Sequence, residues 1–255
     1  MLIDTHCHIH DADYPLNIDD VIERAHGANV KKMICIGTNV IDSKLAIDFA
    51  LKHDDIYATI GIHPHYTSDK TEDLGQLIKT NSKKLVAIGE IGLDYFNMKN
   101  SRQAQIELLE AQIELALNNN LPIVFHVRDA YDDFWPIFDN FSGIRGELHC
   151  FTDSYINSQA ALKRGLYIGV NGIVTFTKDE SQKAVFRSLP LDKILLETDA
   201  PFLTPVPFRG KINEPVFVKN IAEYLEVSRR VPFDEIELIT TSSAISLFNL
   251  TDLTN

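Results

Sequence analysis

Little in this 255-residue sequence points to a secreted or membrane-bound protein. There are only three cysteines, and an odd, widely spaced set argues against a disulfide framework. No apolar run reaches the roughly 20 residues that a membrane-spanning helix needs. The first residues also lack the basic and apolar regions of a secretory signal. The sequence therefore predicts a soluble cytoplasmic protein with no membrane association.

Positive charge is also scarce. The chain has 24 Lys and Arg against 36 Asp and Glu, a net charge of -12 at pH 7. A broad basic surface for nucleic acid is excluded, because the long-range field of such a chain repels phosphates. Nucleic acid remains compatible as a substrate at a cleft where bound cations reverse the local sign of charge.

What the sequence does contain is a recurrence of short β-rich runs, each followed by a helical stretch. Their spacing is typical of βα units, and several runs are apolar up to a polar end, as buried parallel strands are. This pattern predicts an α/β fold, a TIM (β/α)8 barrel, in a single domain spanning residues 1–255. An open doubly wound sheet is the alternative. The eight runs are Leu2–His6, Lys32–Gly37, Ile56–Ile62, Leu85–Glu90, Pro122–His126, Gly146–Phe151, Leu166–Val170 and Ile194–Glu197.

Two helices are indicated by more specific signals. Between Gln103 and Asn119, apolar residues at 106, 109, 113 and 117 recur on one helical face. Pro232 and Asp234 are typical of the start of a last helix.

Imidazole and carboxylate side chains fall at or just past the ends of five of these runs. In a barrel the carboxyl ends of the strands meet at one face, where catalytic groups lie. Such ligands bind Zn²⁺, Mn²⁺ or Mg²⁺, and six of them exceed what one catalytic ion uses. They predict two divalent cations about 3.5–4 Å apart that share a bridging carboxylate. The predicted metal ligands are His6, His8, Glu90, His126, His149 and Asp199.

Individual roles follow from position along the chain. Glu90, from the middle of the barrel, is the predicted bridge. His6, His8 and Asp199 complete one cation site, and His126 and His149 complete the other. Asp199 is also predicted to accept a proton from the attacking water, so Asp199 and Glu90 are the predicted catalytic residues.

A second set of residues is predicted to bind substrate beside the metals. The set is His63, His65, Tyr95, Arg128 and Arg209. Fixed cations and imidazoles at this face suit phosphate groups, and Asp94 and Tyr95 are predicted to line the mouth. Simpler explanations remain open: the histidines only shape a loop, Arg128 pairs with Asp129 or Asp132, and Arg209 is a solvated loop charge.

The remaining histidines and the cysteines receive no role in the site. His10, His26 and His53 are predicted to lie at the surface. Cys7 and Cys150 neighbour ligand histidines, but strand alternation turns their sulfurs away, so both are predicted to be small buried residues. Cys35 is predicted to be core.

Several motifs together resemble one protein family. They run from end to end of the chain in that family's order: Ile-Asp-Thr-His-Cys-His at 3–8, Gly-Ile-His-Pro-His at 61–65, Gly-Glu-Ile-Gly-Leu-Asp-Tyr at 89–95, His-Val-Arg-Asp-Ala at 126–130, Leu-His-Cys-Phe at 148–151, Glu-Thr-Asp-Ala-Pro-Phe-Leu at 197–203 and Pro-Val-Pro-Phe-Arg-Gly-Lys-Ile-Asn-Glu-Pro at 205–215. The sequence resembles the TatD-type metal-dependent deoxyribonucleases, among the amidohydrolase-like barrels. The resemblance implies a TIM barrel, two divalent cations and the same six ligands. It also implies hydrolysis of DNA phosphodiester bonds, often from the 3′ end of single strands.

Two stretches depart from the family pattern. Residues 240–243, Thr-Thr-Ser-Ser, lack the usual Asn, which is expected to affect local helix capping and not the metals. Thr152-Asp153 replaces a usual Ser-Gly and adds a negative charge near the mouth.

Three hypotheses for function therefore stand at this point. The first is a metal-dependent deoxyribonuclease with DNA as substrate and no obligate protein partner. The second is a dinuclear-metal enzyme that cleaves amide, ester or lactone bonds of a small molecule. The third is a barrel retained as a non-enzymatic scaffold, which a degraded ligand set would support.

Overall fold

The computed structural model describes residues 1–80 and 83–250. Each of the eight predicted runs contains a strand, and the strands neighbour one another in chain order in one eight-stranded sheet. Every pairing resolved in detail is parallel, so the predicted fold class, an α/β (β/α)8 barrel, is confirmed. The strands are β1 (Leu2–Cys7), β2 (Val30–Ile36), β3 (Ile56–Ile60), β4 (Leu85–Asp94), β5 (Ile123–Arg128), β6 (Gly146–Leu148), β7 (Tyr167–Val170) and β8 (Ile194–Leu196).

Helices alternate with these strands, as the spacing predicts. Three short 3₁₀ segments, Pro64–Tyr66, Leu191–Lys193 and Pro215–Phe217, add to them. The α-helices of the described residues are α1 (Ile18–Gly27), α2 (Val40–Ala50), α3 (Thr71–Thr80), α4 (Arg102–Asn118), α5 (Tyr131–Asp139), α6 (Tyr155–Lys163), α7 (Ile173–Phe176), α8 (Glu180–Ser188), α9 (Val218–Arg229) and α10 (Phe233–Phe248). Both helices predicted from specific signals are confirmed as α4 and α10. Among these helices, none is both long enough and apolar enough to cross a bilayer.

The chain forms two compact units, one of residues 1–34 with those from 150 onward, and one of residues 35–149. In the first unit, α9 and α10 pack on β1 and β8. The chain after β8 continues beside the end of β1, because Cys7 and Ala200 form a parallel bridge. The organisation of residues 1–255 as a single domain stays a prediction.

The second unit is built around β4, which pairs with β3 and β5 and packs against α4. β4 is longer than predicted. Its register with β5 shifts between Ile88 and Ile91, and it continues to Asp94. Glu90 therefore lies inside the strand at an irregularity, whereas the sequence pattern had placed it at the strand end. Bulges re-aim side chains in this way.

The buried face of helix α4 is only partly the one predicted: Leu109 and Ile113 are buried as expected. Ile106 and Leu117 are half-exposed, whereas Gln105 and Gln112 are fully buried. Gln112 Oε1 accepts a hydrogen bond from the Ile62 amide at 2.7 Å, and its Nε2 donates to the Ile62 carbonyl at 3.0 Å. Gln112 thereby satisfies the backbone at the end of β3, where His63 follows.

Gln112→Leu is expected to lower the free energy of unfolding by about 2–4 kcal/mol. The substitution leaves the amide and carbonyl of Ile62 unpaired, and each unsatisfied buried group costs about 1–3 kcal/mol. Urea denaturation measures the change. Gln103→Leu on the exposed face of α4 is the matched control, with an expected change within about 0.5 kcal/mol. Equal effects of the two substitutions would contradict the role given to Gln112.

Two smaller expectations are wrong. His10 is buried and not at the surface; its Nε2 lies 3.6 Å from Asp11 Oδ1. Residues 240–243 lie inside α10 and cap nothing. Thr240 donates to the Ile236 carbonyl, and Ser243 donates to the Asp192 carbonyl.

Candidate functional site

The first unit brings together three of the predicted metal ligands, His6, His8 and Asp199. Nε2 of His6 lies 3.6 Å from Asp199 Oδ1, and Nε2 of His8 lies 3.5 Å from the same oxygen. Both histidines are buried and Asp199 is half-buried. We call these three residues the first ligand group.

The backbone holds the first ligand group in place. The Asp199 amide donates to the His6 carbonyl at 2.8 Å, and the His8 amide donates to the Ala200 carbonyl at 2.7 Å. Asp199 has a φ of 58°, in the left-handed region, which Asp and Asn tolerate better than most residues. The ligands of the group are therefore tied to one another by the pairing of β1 with the chain after β8.

Asp4 and Asn213 fix the residue immediately before Asp199. Asp4 accepts hydrogen bonds from the Thr198 amide at 2.8 Å and the Thr198 hydroxyl at 2.6 Å. Asn213 donates to the Thr198 carbonyl at 2.8 Å. Burial raises the pKa of Asp4 well above its ordinary value, although the bonds from Thr198 oppose the shift. Asp4 shares a strand face with His6 and His8 in the sequence pattern, but its supporting role was not predicted.

The second unit brings together Glu90, His126 and His149, which we call the second ligand group. Glu90 Oε1 lies 2.7 Å from His126 Nδ1 and 3.4 Å from His149 Nε2. Burial by itself raises the pKa of Glu90, but the charge of His149 and the hydrogen bond with His126 outweigh it and hold that pKa well below its ordinary value. Glu90 is thus poised as a carboxylate.

His63 lies against this second group, and its ligand atom is close enough to those of Glu90 and His126 for the three to hold one ion. Its Nε2 is 3.8 Å from Glu90 Oε1, and its Nδ1 accepts a hydrogen bond from the His65 amide at 3.2 Å. In a neutral imidazole the other nitrogen then carries the proton. Burial, with the nearby charge of His126, lowers the pKa of His63 to about 3. His63 is therefore a neutral N–H donor, and its role in substrate binding stays a prediction.

Asp94 contacts two histidines of the second unit. Its Oδ2 lies 3.2 Å from His126 Nε2 and 3.3 Å from His65 Nε2. The buried side chain of Gln105 binds the backbone of Asp94. Its Oε1 accepts a hydrogen bond from the Asp94 amide at 2.8 Å, and its Nε2 donates one to the Asp94 carbonyl at 3.2 Å. Burial lowers the pKa of His126, yet hydrogen bonds to Asp94 and Glu90 outweigh this and raise it. Asp94 therefore orients His126 from the side opposite Glu90.

A glycine makes this arrangement possible. Gly92 pairs with His126 across β4 and β5, and a Cβ at Gly92 would overlap the carbonyl of His126. Gly92 also has a φ of 153°, a conformation that side chains rarely adopt. Only glycine lets β4 carry Glu90 and Asp94 this close to His126.

The predicted substrate-binding residues Tyr95, Arg128 and Arg209 have specific partners. Tyr95 donates from its hydroxyl to Asp133 Oδ2 at 2.7 Å, and Arg128 lies over the ring of Phe96, 3.9 Å from its centre. Arg209 lies over the ring of Phe176 at 3.8 Å and donates to the Thr204 carbonyl. Arg128 is thus held by an aromatic ring. Arg209 is exposed but anchored.

The contacts of Asp153 and the burial of the cysteines are those of residues that support the fold. Asp153 Oδ1 accepts from the Ser154 amide and from Asn157 Nδ2, both at 2.6 Å, so its charge supports the start of α6. No disulfide joins the three cysteines, and Cys7 and Cys35 are buried. Cys150 is half-buried, which differs from the buried position predicted for it.

Donor chemistry and spacing both fit divalent cations. Two ligands about 2.1 Å from a tetrahedral ion lie about 3.4 Å apart. The separations of 3.5 and 3.6 Å in the first group and of 3.4 Å between Glu90 and His149 match that geometry. Imidazole and carboxylate are the donors that Zn²⁺ and Mn²⁺ accept. A shared role of Glu90 as a bridge stays a prediction.

Comparison with known proteins identifies relatives over nearly the whole chain. A family model described as TatD related DNase matches residues 3–249. YabD of Bacillus subtilis, described as an uncharacterized metal-dependent hydrolase, is 40% identical over 98% of this chain and 100% of its own length. The 3′-5′ ssDNA/RNA exonuclease TatD of Salmonella typhimurium is 36% identical over 91% of this chain and 93% of its own.

A solved structure gives the same result. The crystal structure of YjjV, a TatD homologue from Escherichia coli, has a TM-score of 0.91 and 30% identity, and the match covers 98% of each chain. Fold, relatives and a histidine- and carboxylate-rich site agree. The chain therefore belongs to the TatD-related DNase family of metal-dependent hydrolases.

Proposed function

We propose that this hydrolase cleaves phosphodiester bonds of DNA, as a 3′-5′ exonuclease on single strands, with two divalent cations. The observation that carries the proposal is that imidazole nitrogens lie at ligand spacing from one carboxylate oxygen in each group, those of His6 and His8 from Asp199 and that of His149 from Glu90. The exonuclease named among the relatives supports the choice of nucleic acid. The fold class supports joint action of the groups, since the strand ends of such barrels share one face.

The cations are proposed to be Mg²⁺, Mn²⁺ or Zn²⁺, held by His6, His8 and Asp199 and by Glu90, His126 and His149. Bound there, they supply Lewis-acid polarisation of the phosphodiester and a lowered pKa for water. Bound cations would also make a chain of net charge -12 compatible with an anionic substrate, because they reverse the sign of the electrostatic potential where that substrate must bind.

The chain's own residues supply positioning and proton transfer. Asp199 orients the attacking water and accepts its proton. His63 donates its Nε2 proton in a hydrogen bond to a non-bridging phosphate oxygen, which its neutral state permits. His65, Arg128 and Arg209 hold neighbouring phosphates, and Tyr95 lines the mouth. Proteins usually contribute to such reactions through fixed hydrogen-bond donors that stabilise the charge of the phosphate.

The test is a panel of end-labelled oligonucleotides assayed with each divalent cation. We expect stepwise shortening of single-stranded DNA from the 3′ end, dependent on added cation and abolished by EDTA. Single-stranded RNA, duplex DNA and small amide, ester and lactone substrates complete the panel. Turnover of a small acyl compound without release of nucleotides would replace this proposal with the small-molecule alternative. If the protein hydrolyses none of these substrates and binds no ion, a non-enzymatic scaffold would be favoured.

A further inference from the structure

The loop that follows β4 exposes large apolar side chains. Phe96 is 63% exposed and Met98 is 48% exposed. The two residues directly follow Asp94 and Tyr95 at the end of a strand whose other residues are buried. Exposed aromatic side chains at a strand end that carries polar functional groups are candidates for ligand contact.

Two arginines lie over the aromatic rings of this loop. The guanidinium of Arg128 is 3.9 Å from the centre of the Phe96 ring, and that of Arg102 is 4.3 Å from the centre of the Tyr95 ring. Tyr95 is further fixed by its hydroxyl bond to Asp133. Phe96 has no comparable polar anchor, and it stays 63% exposed although Arg128 lies over its ring.

The backbone ties this pair to the second ligand group. Asp94 pairs with Arg128 across β4 and β5, and the Tyr95 amide donates to the Arg128 carbonyl at 2.9 Å. Asp94 in turn contacts His126. Phe96 and Arg128 are therefore held only two residues beyond side chains that we place at the metal site.

We propose that Phe96 and Arg128 form a stacking platform for one base of a single-stranded polynucleotide, with the guanidinium also holding an adjoining phosphate. The inference rests on the proposed function and assigns it a further substrate-binding residue, Phe96. An aromatic face stacks on any base, and arginine adds a cation–π contribution and a phosphate contact.

Charge complementarity favours this occupant. The chain carries a net charge of -12, yet Lys99 and Arg128 bring two cations to this loop and the adjacent strand, beside Arg102, which forms an ion pair with Asp133 at 4.0 Å. Lys99 is close enough to His65 for its charge to contribute to the lowered pKa of that histidine, after the larger effect of burial. A polyanion with flat apolar bases matches both properties of the surface.

Binding without catalysis tests the platform directly. Fluorescence anisotropy with labelled dT12 that has a cleavage-resistant phosphorothioate backbone, in Mg²⁺, is expected to show roughly 5- to 150-fold weaker binding by Phe96→Ala, the range for loss of one base–aromatic stack. Phe96→Trp is expected to restore it. Leu51→Ala is the control. Leu51 is also exposed, at 55%, but it lies before the amino end of β3, whereas Phe96 follows the carboxyl end of β4. Matching thermal unfolding of the variants excludes a folding defect.

A walk of single abasic nucleotides along dT12 identifies the stacked base. Wild-type binding is expected to weaken at one or two positions near the 3′ end, and Phe96→Ala is expected to be insensitive at those positions. The same walk on U12 shows whether DNA and RNA share the platform. If Phe96→Ala binds like Leu51→Ala while wild type cleaves DNA, the platform is wrong and the proposed function stands. If wild type neither binds nor cleaves any oligonucleotide, both are wrong.

Discussion

Glu90→Gln is expected to lower metal-dependent hydrolysis of single-stranded DNA by more than about 100-fold and to reduce the bound metal. Glutamine keeps the shape of the side chain but removes the charge that Oε1 presents to His126 and His149 at 2.7 and 3.4 Å. Outer partners of metal ligands are already worth about 10–100-fold in affinity or activity, so a direct ligand should be worth more.

Elemental analysis after dialysis and initial rates with saturating oligonucleotide measure the two effects. Glu107→Gln is the matched control, because Glu107 is an exposed residue of α4 in the same unit; both its metal content and its rate are expected to equal those of wild type. A Glu90→Gln protein that keeps full metal content and full rate would remove Glu90 from the ligands and end the dinuclear proposal.

The strands were predictable because their signal is local. A buried parallel strand needs a run of apolar residues between turns, and βα spacing then limits the fold to a few architectures. The position of Glu90 within β4 was not predictable in the same way. The register shift between Ile88 and Ile91 depends on the neighbouring strand, which a pattern along one chain does not contain.

Polar residues that support the site were harder to predict than its ligands. Gln105 and Gln112 lie seven residues apart, two helical turns, and both belong to the buried face of α4. A hydrophobic pattern counts only apolar side chains, so it did not include them. Their burial is compensated by bonds to the backbone at Asp94 and Ile62, which are distant in sequence. Asp94 did carry a signal, since it is four residues from Glu90 and strand alternation gives both the same face.

His10 and Arg128 show the same limit at single side chains. A histidine outside any strand end was predicted to be at the surface, yet His10 is buried. Arg128 had nearby acidic partners in sequence, Asp129 and Asp132, but the structure places it on the ring of Phe96. Sequence proximity indicates possible partners, whereas loop geometry selects the actual one.

Asp199→Asn is expected to lower kcat by about 10²–10⁴-fold even at saturating metal, the range for loss of a general base. Asparagine is the informative substitution because residue 199 has a φ of 58°, which Asn tolerates and Ala does not. The hydrogen bond from the backbone amide of residue 199 to the His6 carbonyl is kept. The amide side chain binds metal weakly and cannot take a proton from water.

Varying the metal concentration separates the two roles of Asp199. Rates at rising Mn²⁺ are compared for wild type, Asp199→Asn and Asp192→Asn, an exposed aspartate of the same unit that should match wild type throughout. A loss of affinity alone is overcome by excess metal, whereas a missing proton acceptor is not. Full recovery of kcat at high Mn²⁺ would therefore leave Asp199 as a ligand only, and an unaltered rate at every concentration would exclude it from the site, because neither a ligand nor a base can be lost without a kinetic effect.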